Sequence, residues 1–185
     1  MSLTYSSMLP LGTKLIAFNL INTVSGENFS SEELDNSKQT LIMFICNHCP
    51  YVIHYHSQIQ KLAKDYKDQI NMIAISSNDV GNYPQDGPQQ MQDLWRELDM
   101  SFPYLFDETQ MVAKAYKAEC TPEFYLFAAD NKLVYRGRLD ESSPNSAIQP
   151  SGKDLRDALD NLLNKREISL EQFPSMGCNI KWKVS

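Results

Sequence analysis

No stretch of this 185-residue sequence approaches the run of about 18 apolar residues that a membrane-spanning helix needs. No run of lysine or arginine marks a nucleic-acid or anionic-lipid footprint either, and 23 acidic against 17 basic residues leave a formal charge of -6. Nucleic acid and membrane are therefore excluded as expected partners. Met1 to Leu20 has neither a basic leader nor a sustained apolar core, since Thr13, Lys14 and Asn19 interrupt it, so no signal peptide is expected and the cytoplasm is the expected compartment. Four cysteines are too few for a secreted disulfide scaffold of this size, and in a reducing compartment a closely spaced pair serves catalysis or metal binding. Repeats, low-complexity tracts and linkers are also missing. The chain reads as one domain over 1–185 with a tail over 168–185, and 42% hydrophobic residues fill its core.

What is present is an alternation of strand and helix signals. Leu15 to Phe29 alternates loosely around the turn residues Ser25-Gly26-Glu27-Asn28, which predicts a leading hairpin. Thr40 to Ile45 is a continuous apolar run, suited to a strand buried on both faces. Ile59, Leu62, Ala63 and Tyr66 recur at helical spacing within Tyr51 to Tyr66. Ile70 to Ser76 reads as a second buried strand, Asn78 to Pro88 as loop, and Met91, Leu94, Trp95 and Leu98 as a helix. A short strand over Phe102 to Phe106 and a short helix over Gln110 to Lys117 follow. Phe124 to Ala128 and Leu133 to Gly137 form a hairpin around Asp130-Asn131, and a helix carries Leu155, Leu159, Leu162 and Leu163. The order predicts an α/β fold with a central mixed sheet flanked by helices. Ser169 to Ser185 shows no period.

The motif that carries chemistry is Cys46-Asn47-His48-Cys49, between the first buried strand and a helix. Disulfide exchange needs a thiolate that attacks and a second thiol that releases the mixed disulfide, and two cysteines two residues apart at a helix start supply both. The helix N-terminus is expected to favour the anion on Cys46, making it the nucleophile and Cys49 the resolving thiol. Pro50 is tolerated in the first turn. Asn47 and His48 are the expected tuning residues, His48 by stabilising the thiolate and making the pair more oxidising than a Gly-Pro centre. The competing readings are structural thiols or a metal site. Zinc wants four ligands, and the candidates are Cys46, Cys49, His48, His54 and His56. His54 and His56 stand about 200° apart on a helix and cannot share an ion. Neither a metal site nor a cofactor is expected.

A second element is Cys120-Thr121-Pro122-Glu123-Phe124, where a proline directly precedes an apolar strand. Such a proline belongs at the strand's first position, where a cis Thr-Pro bond would turn the chain sharply. The order of strand, CxxC, helix, strand, helix, Thr-Pro, hairpin and final helix resembles the thioredoxin superfamily. The leading hairpin, the inserted segment from Ser77 to Ala118 and Phe102-Pro103-Tyr104-Leu105-Phe106-Asp107 resemble its redoxin branch, related to alkyl hydroperoxide reductase and thiol-specific antioxidant proteins. The ending Gly177-Cys178-Asn179-Ile180-Lys181-Trp182 is similar to tails of uncharacterised bacterial members. The resemblance implies a thiol-disulfide oxidoreductase in which Cys46 attacks, Cys49 resolves, Pro122 is a cis proline and the Thr121 backbone pairs with the substrate chain. It implies as partners a protein or small-molecule disulfide and a thiol reductant.

Two departures from the family pattern stand out. Thioredoxins keep a buried acid on the strand before the CxxC, whereas Leu41 to Ile45 holds none and Thr40 occupies the nearest place. Glu123 is a substitute by proximity alone, or else a solvated surface charge. Cys120 and Cys178 are extra cysteines, candidates for a further redox role or simply buried thiols. Two rivals share the fold. A peroxidase would carry a proline and a hydroxyl residue ahead of its cysteine, yet Thr40 to Ile45 has no proline. A copper-handling module would use Cys49-Pro50, but no histidine follows His56 to act as third ligand, and a non-catalytic module would recognise partners without turnover.

Overall fold

The computed structural model describes residues 3–184. The expected hairpin is β2 (Asn19–Asn22) and β3 (Asn28–Ser30), closed where the Asn22 amide donates to the Glu27 carbonyl and Gly26 takes a left-handed φ of 80°. A short strand that the sequence pattern missed, β1 (Leu3–Tyr5), precedes it. The apolar run forms β4 (Gln39–Phe44) and leads through the CxxC into α1 (Pro50–Asp65). Then come β5 (Ile70–Ser76), α2 (Pro88–Glu97), β6 (Tyr104–Phe106), α3 (Met111–Tyr116), β7 (Cys120–Thr121), β8 (Glu123–Phe127), β9 (Leu133–Gly137) and α4 (Lys153–Leu163).

Seven strands form one mixed sheet in the order β3-β2-β6-β5-β4-β8-β9. Its centre, β4 with β5 and β5 with β6, is parallel, and β8 runs antiparallel to β4. Residues of β4 alternate between two cores. Leu41 and Met43 pack under α1 and α4 with Val52, Ile59, Leu62, Leu155 and Leu159, while Ile42 and Phe44 pack on the other face with Tyr116, Tyr125 and Phe127. That two-sided burial explains why β4 carries no polar alternation. The fold is thioredoxin-like.

The tail is where periodicity failed. Met176–Asn179 forms β10, the middle strand of a second sheet ordered β1-β10-β7. It is held from both edges, and the chain just beyond it is pinned as well. Leu3 pairs with Cys178 on one side and Thr121 on the other, the Lys181 amide donates to Asn78 Oδ1 at 2.9 Å, and Gln110 Nε2 donates to the Lys181 carbonyl at 2.8 Å. Such a strand owes its conformation to partners distant in sequence, so no local pattern announces it.

Candidate active site

The β4-to-α1 connection places Cys49 as the N-cap of α1, with its carbonyl accepting from the Val52 and Ile53 amides at 3.0 Å and Pro50 at the first helical position. Proline costs nothing there because that turn's amides lack intrahelical partners. Cys46 lies ahead of the helix, continuing the line of β4 after the Ile45 amide bonds the Ile75 carbonyl. The structure holds all four cysteines as buried thiols. Thr121, preceding a cis peptide bond to Pro122, touches both sulfurs of the motif. Its Oγ1 lies 3.4 Å from Cys46 Sγ, and its carbonyl accepts from Cys49 Sγ at 3.1 Å.

The acid that β4 lacks comes from the loop before α2. Asp86, at the end of a 3-10 turn over Pro84–Asp86, is completely buried beneath the motif. Its Oδ1 accepts from the Asn47 and His48 amides at 2.8 and 3.3 Å, and its Oδ2 from Asn78 Nδ2 at 2.8 Å and His48 Nδ1 at 2.6 Å. A buried carboxylate is tolerable only when so fully bonded. The pairing engages His48 Nδ1 and leaves Nε2 buried and without a hydrogen-bond partner among the described residues. The ring stacks on Tyr83, centroids 5.4 Å apart and planes 10° from parallel. Asn47 fastens the loop from the other side, donating to the Gln85 carbonyl at 3.0 Å and accepting from the Tyr104 hydroxyl at 3.1 Å. Sequence reasoning missed Asp86 because it sits 37 positions after Cys49 in a stretch legible only as loop.

Electrostatics divide the two thiols differently from the helix-dipole expectation. The hydrogen bond to Cys49, burial and the Asp86 carboxylate together push the Cys46 thiol well above the ordinary range. Hydrogen bonds from Cys178 and then Cys46 hold Cys49 far below it. The carboxylate beside Cys46 opposes an anion on that sulfur, and the neighbouring thiols ease one onto Cys49.

The other expected residues fall on two sides. Cys178 stands opposite Thr121 in the β10-β7 pair, so their side chains share a face, the one turned to the CxxC. Cys120 points the other way, its Sγ 3.9 Å from Glu123 Oε2, and burial raises its thiol. Glu123 is not a surface charge. It is 1% exposed, its carboxylate accepts from the Tyr125 hydroxyl at 2.6 Å and the Glu119 amide at 3.0 Å, and burial pushes it up to about 7. It faces Cys120 rather than Cys49. The Thr121 edge expected to receive a substrate strand is paired with β10. His54 bonds Ser142 Oγ at 2.9 Å whereas His56 lies near Glu97, which keeps the two apart as their helical phase requires. For metal, Cys46, His48 and Asp86 bring one donor atom each within 4.8 Å of one another, although Asp86 already accepts four hydrogen bonds.

Residues 10–150 match the Redoxin family model. The chain belongs to the Redoxin family. An uncharacterized conserved protein from Geobacillus kaustophilus has the same fold at a TM-score of 0.97 and 48% identity, covering 100% of this chain and 98% of its own. The C-terminal domain of a thiol-disulfide oxidoreductase from Bacteroides thetaiotaomicron, 22% identical, superposes at a TM-score of 0.64 over 84% of this redoxin and 97% of that chain. The thiol-disulfide oxidoreductase YkuV of Bacillus subtilis (strain 168) is 26% identical over 106 residues, which span 55% of this chain and 68% of that protein.

Proposed function

We propose that this redoxin is a thiol-disulfide oxidoreductase that exchanges disulfides through Cys46 and Cys49. The observation that carries this reading is the convergence of both sulfurs on Thr121, one on its hydroxyl and one on its carbonyl, with a buried His48-Asp86 pair alongside. Inert core thiols need no such polar setting. The thiol-disulfide oxidoreductase YkuV and the Bacteroides thetaiotaomicron oxidoreductase domain support the same class.

In the reaction, Cys46 Sγ attacks one sulfur of a protein or small-molecule disulfide. A Cys46-substrate bond forms, the substrate disulfide breaks, and the departing sulfur takes a proton. Cys49 then attacks Cys46 Sγ, forming the Cys46-Cys49 disulfide and releasing the second substrate thiol, so that two electrons and two protons pass to the substrate. A thiol reductant regenerates the pair. Because Cys46 is held protonated, its deprotonation accompanies attack. Two acceptors are at hand, the Cys49 sulfur to which it hydrogen bonds and the His48-Asp86 pair.

The test is reduction of a model disulfide such as insulin by the wild type and by Cys46→Ser and Cys49→Ser. Turnover is expected from the wild type, with a trapped mixed disulfide on Cys46 in Cys49→Ser. Equal inactivity of all three sinks the proposal. Consumption of peroxide with Cys46 alone essential would replace it by the peroxidase reading, which a carboxylate beside Cys46 disfavours. A Cu(I) titration of the reduced chain addresses the three-donor cluster, where binding would have to displace hydrogen bonds to Asp86.

A further inference from the structure

Strand β10 lies where the family resemblance would seat a substrate strand, along the backbone of Thr121, and it brings a cysteine. The antiparallel register sets Cys178 directly across from Thr121 and Asn179 across from Cys120. Side chains of directly opposed residues emerge on the same face, so the Cys178 sulfur shares the side on which Thr121 Oγ1 meets Cys46. The Cys178 thiol hydrogen bonds to Cys49, which also bonds the Thr121 carbonyl. Cys46, Cys49 and Cys178 are all buried in the core that lies on the α1 side of the central sheet. Gly177 makes this approach feasible. A Cβ there would stand 1.9 Å from the Thr121 carbonyl oxygen, so any side chain would lift β10 off β7.

We propose that Cys178 is a third exchange thiol, which takes over the disulfide from Cys46 by bonding to Cys49, with β10 docked as an internal substrate strand. This rests on the reading that Cys46 and Cys49 form a disulfide in turnover. The Cys178 thiolate attacks Cys49 Sγ, the Cys49-Cys178 bond forms, the Cys46-Cys49 bond breaks, and Cys46 leaves as a thiolate that takes up the proton Cys178 lost. No electrons enter or leave, so no further oxidant is needed. The step returns Cys46 to its thiol form while the chain keeps one disulfide, now joining the start of α1 to β10. Hydrogen bonding to Cys49 and burial hold Cys178 as a thiol in the reduced chain, with Lys181 opposing them, so its proton leaves as it attacks.

The experiment oxidises the reduced full-length chain with glutathione disulfide, quenches with acid and alkylating agent, and maps cross-linked peptides by mass spectrometry without reduction. The Cys46→Ser chain is expected to form an intrachain Cys49-Cys178 disulfide, about tenfold more abundant than any link to Cys120, because apposed thiols react at a high effective concentration. Gly177→Ala is expected to lose that link and keep the Cys46-Cys49 link, and Cys120→Ser to leave the map unchanged. If Cys46→Ser yields only glutathione adducts on Cys49 with Cys178 alkylated, the third-thiol proposal fails while wild-type Cys46-Cys49 oxidation leaves the oxidoreductase reading standing. If no Cys46-Cys49 link forms in the wild type, both fall together.

Discussion

At the scale of single residues, two buried acids do different work. Asp86 sits under the motif, and its charge adds to the hydrogen bond to Cys49 and to burial in raising the Cys46 thiol. Asp86→Asn is expected to lower the midpoint for alkylation of Cys46 by roughly one pH unit. It should also cost about 1–3 kcal/mol in urea unfolding, because His48 Nδ1 and Asn78 Nδ2 would then face an amide donor. An unmoved alkylation profile would dissociate Asp86 from Cys46. Glu123 contributes a pH dependence of its own. Its carboxyl is raised from 4.5 to about 7 in the fold, so between those values the folded chain keeps a proton that the unfolded chain has released. Its contribution to stability is full below pH 4.5 and is lost as pH rises through 7, a swing of about 3 kcal/mol. Glu123→Gln is expected to flatten the stability-pH curve over that window relative to the wild type, as read by denaturant midpoints at fixed pH. An unchanged slope would place the titration elsewhere.

Among the elements, β10 and the loop from Asn78 to Pro88 decide the surroundings of the CxxC, and neither has a regular period. The chain just after β10 binds that loop, through the Asp79 amide to the Lys181 carbonyl at 2.8 Å and the Lys181 amide to Asn78 Oδ1. The helices and central strands, by contrast, follow their apolar spacing closely, since each buries a stripe or two faces against the same core. Gly177→Ala tests the tail as a unit. The clash with Thr121 is expected to speed amide hydrogen exchange at Ile180, whose amide donates to the Glu119 carbonyl at 3.0 Å, and to leave β4 and β8 protected. Uniform acceleration across the β4-β8 ladder would mean that the tail folds with the whole sheet rather than as a separate unit.

For the whole molecule, the central sheet separates a core that supports the thiols from one that does not. Ile42 is fully buried on the face away from α1, while Leu41 and Met43 share the face with Cys46 and Cys49. Ile42→Ala is expected to cost about 2–4 kcal/mol of stability and to leave the Cys46 alkylation profile unmoved under native conditions. A shifted profile would show the two cores to be coupled through the sheet.

The sequence by itself determined the strand-helix order, the CxxC at the start of α1, Pro122 ahead of β8 and the opposed phases of His54 and His56. All of these follow from spacing along one element, where side-chain direction repeats every 3.6 or 2 residues. Only the tertiary structure decided that Asp86 supplies the acid absent from β4, that Glu123 is buried against Cys120, and that Cys178 meets Cys49 across the Thr121 strand. Each depends on contacts between segments far apart in the chain, and the loop and tail that make them have conformations set by hydrogen bonds to those distant partners rather than by any periodic burial of their own.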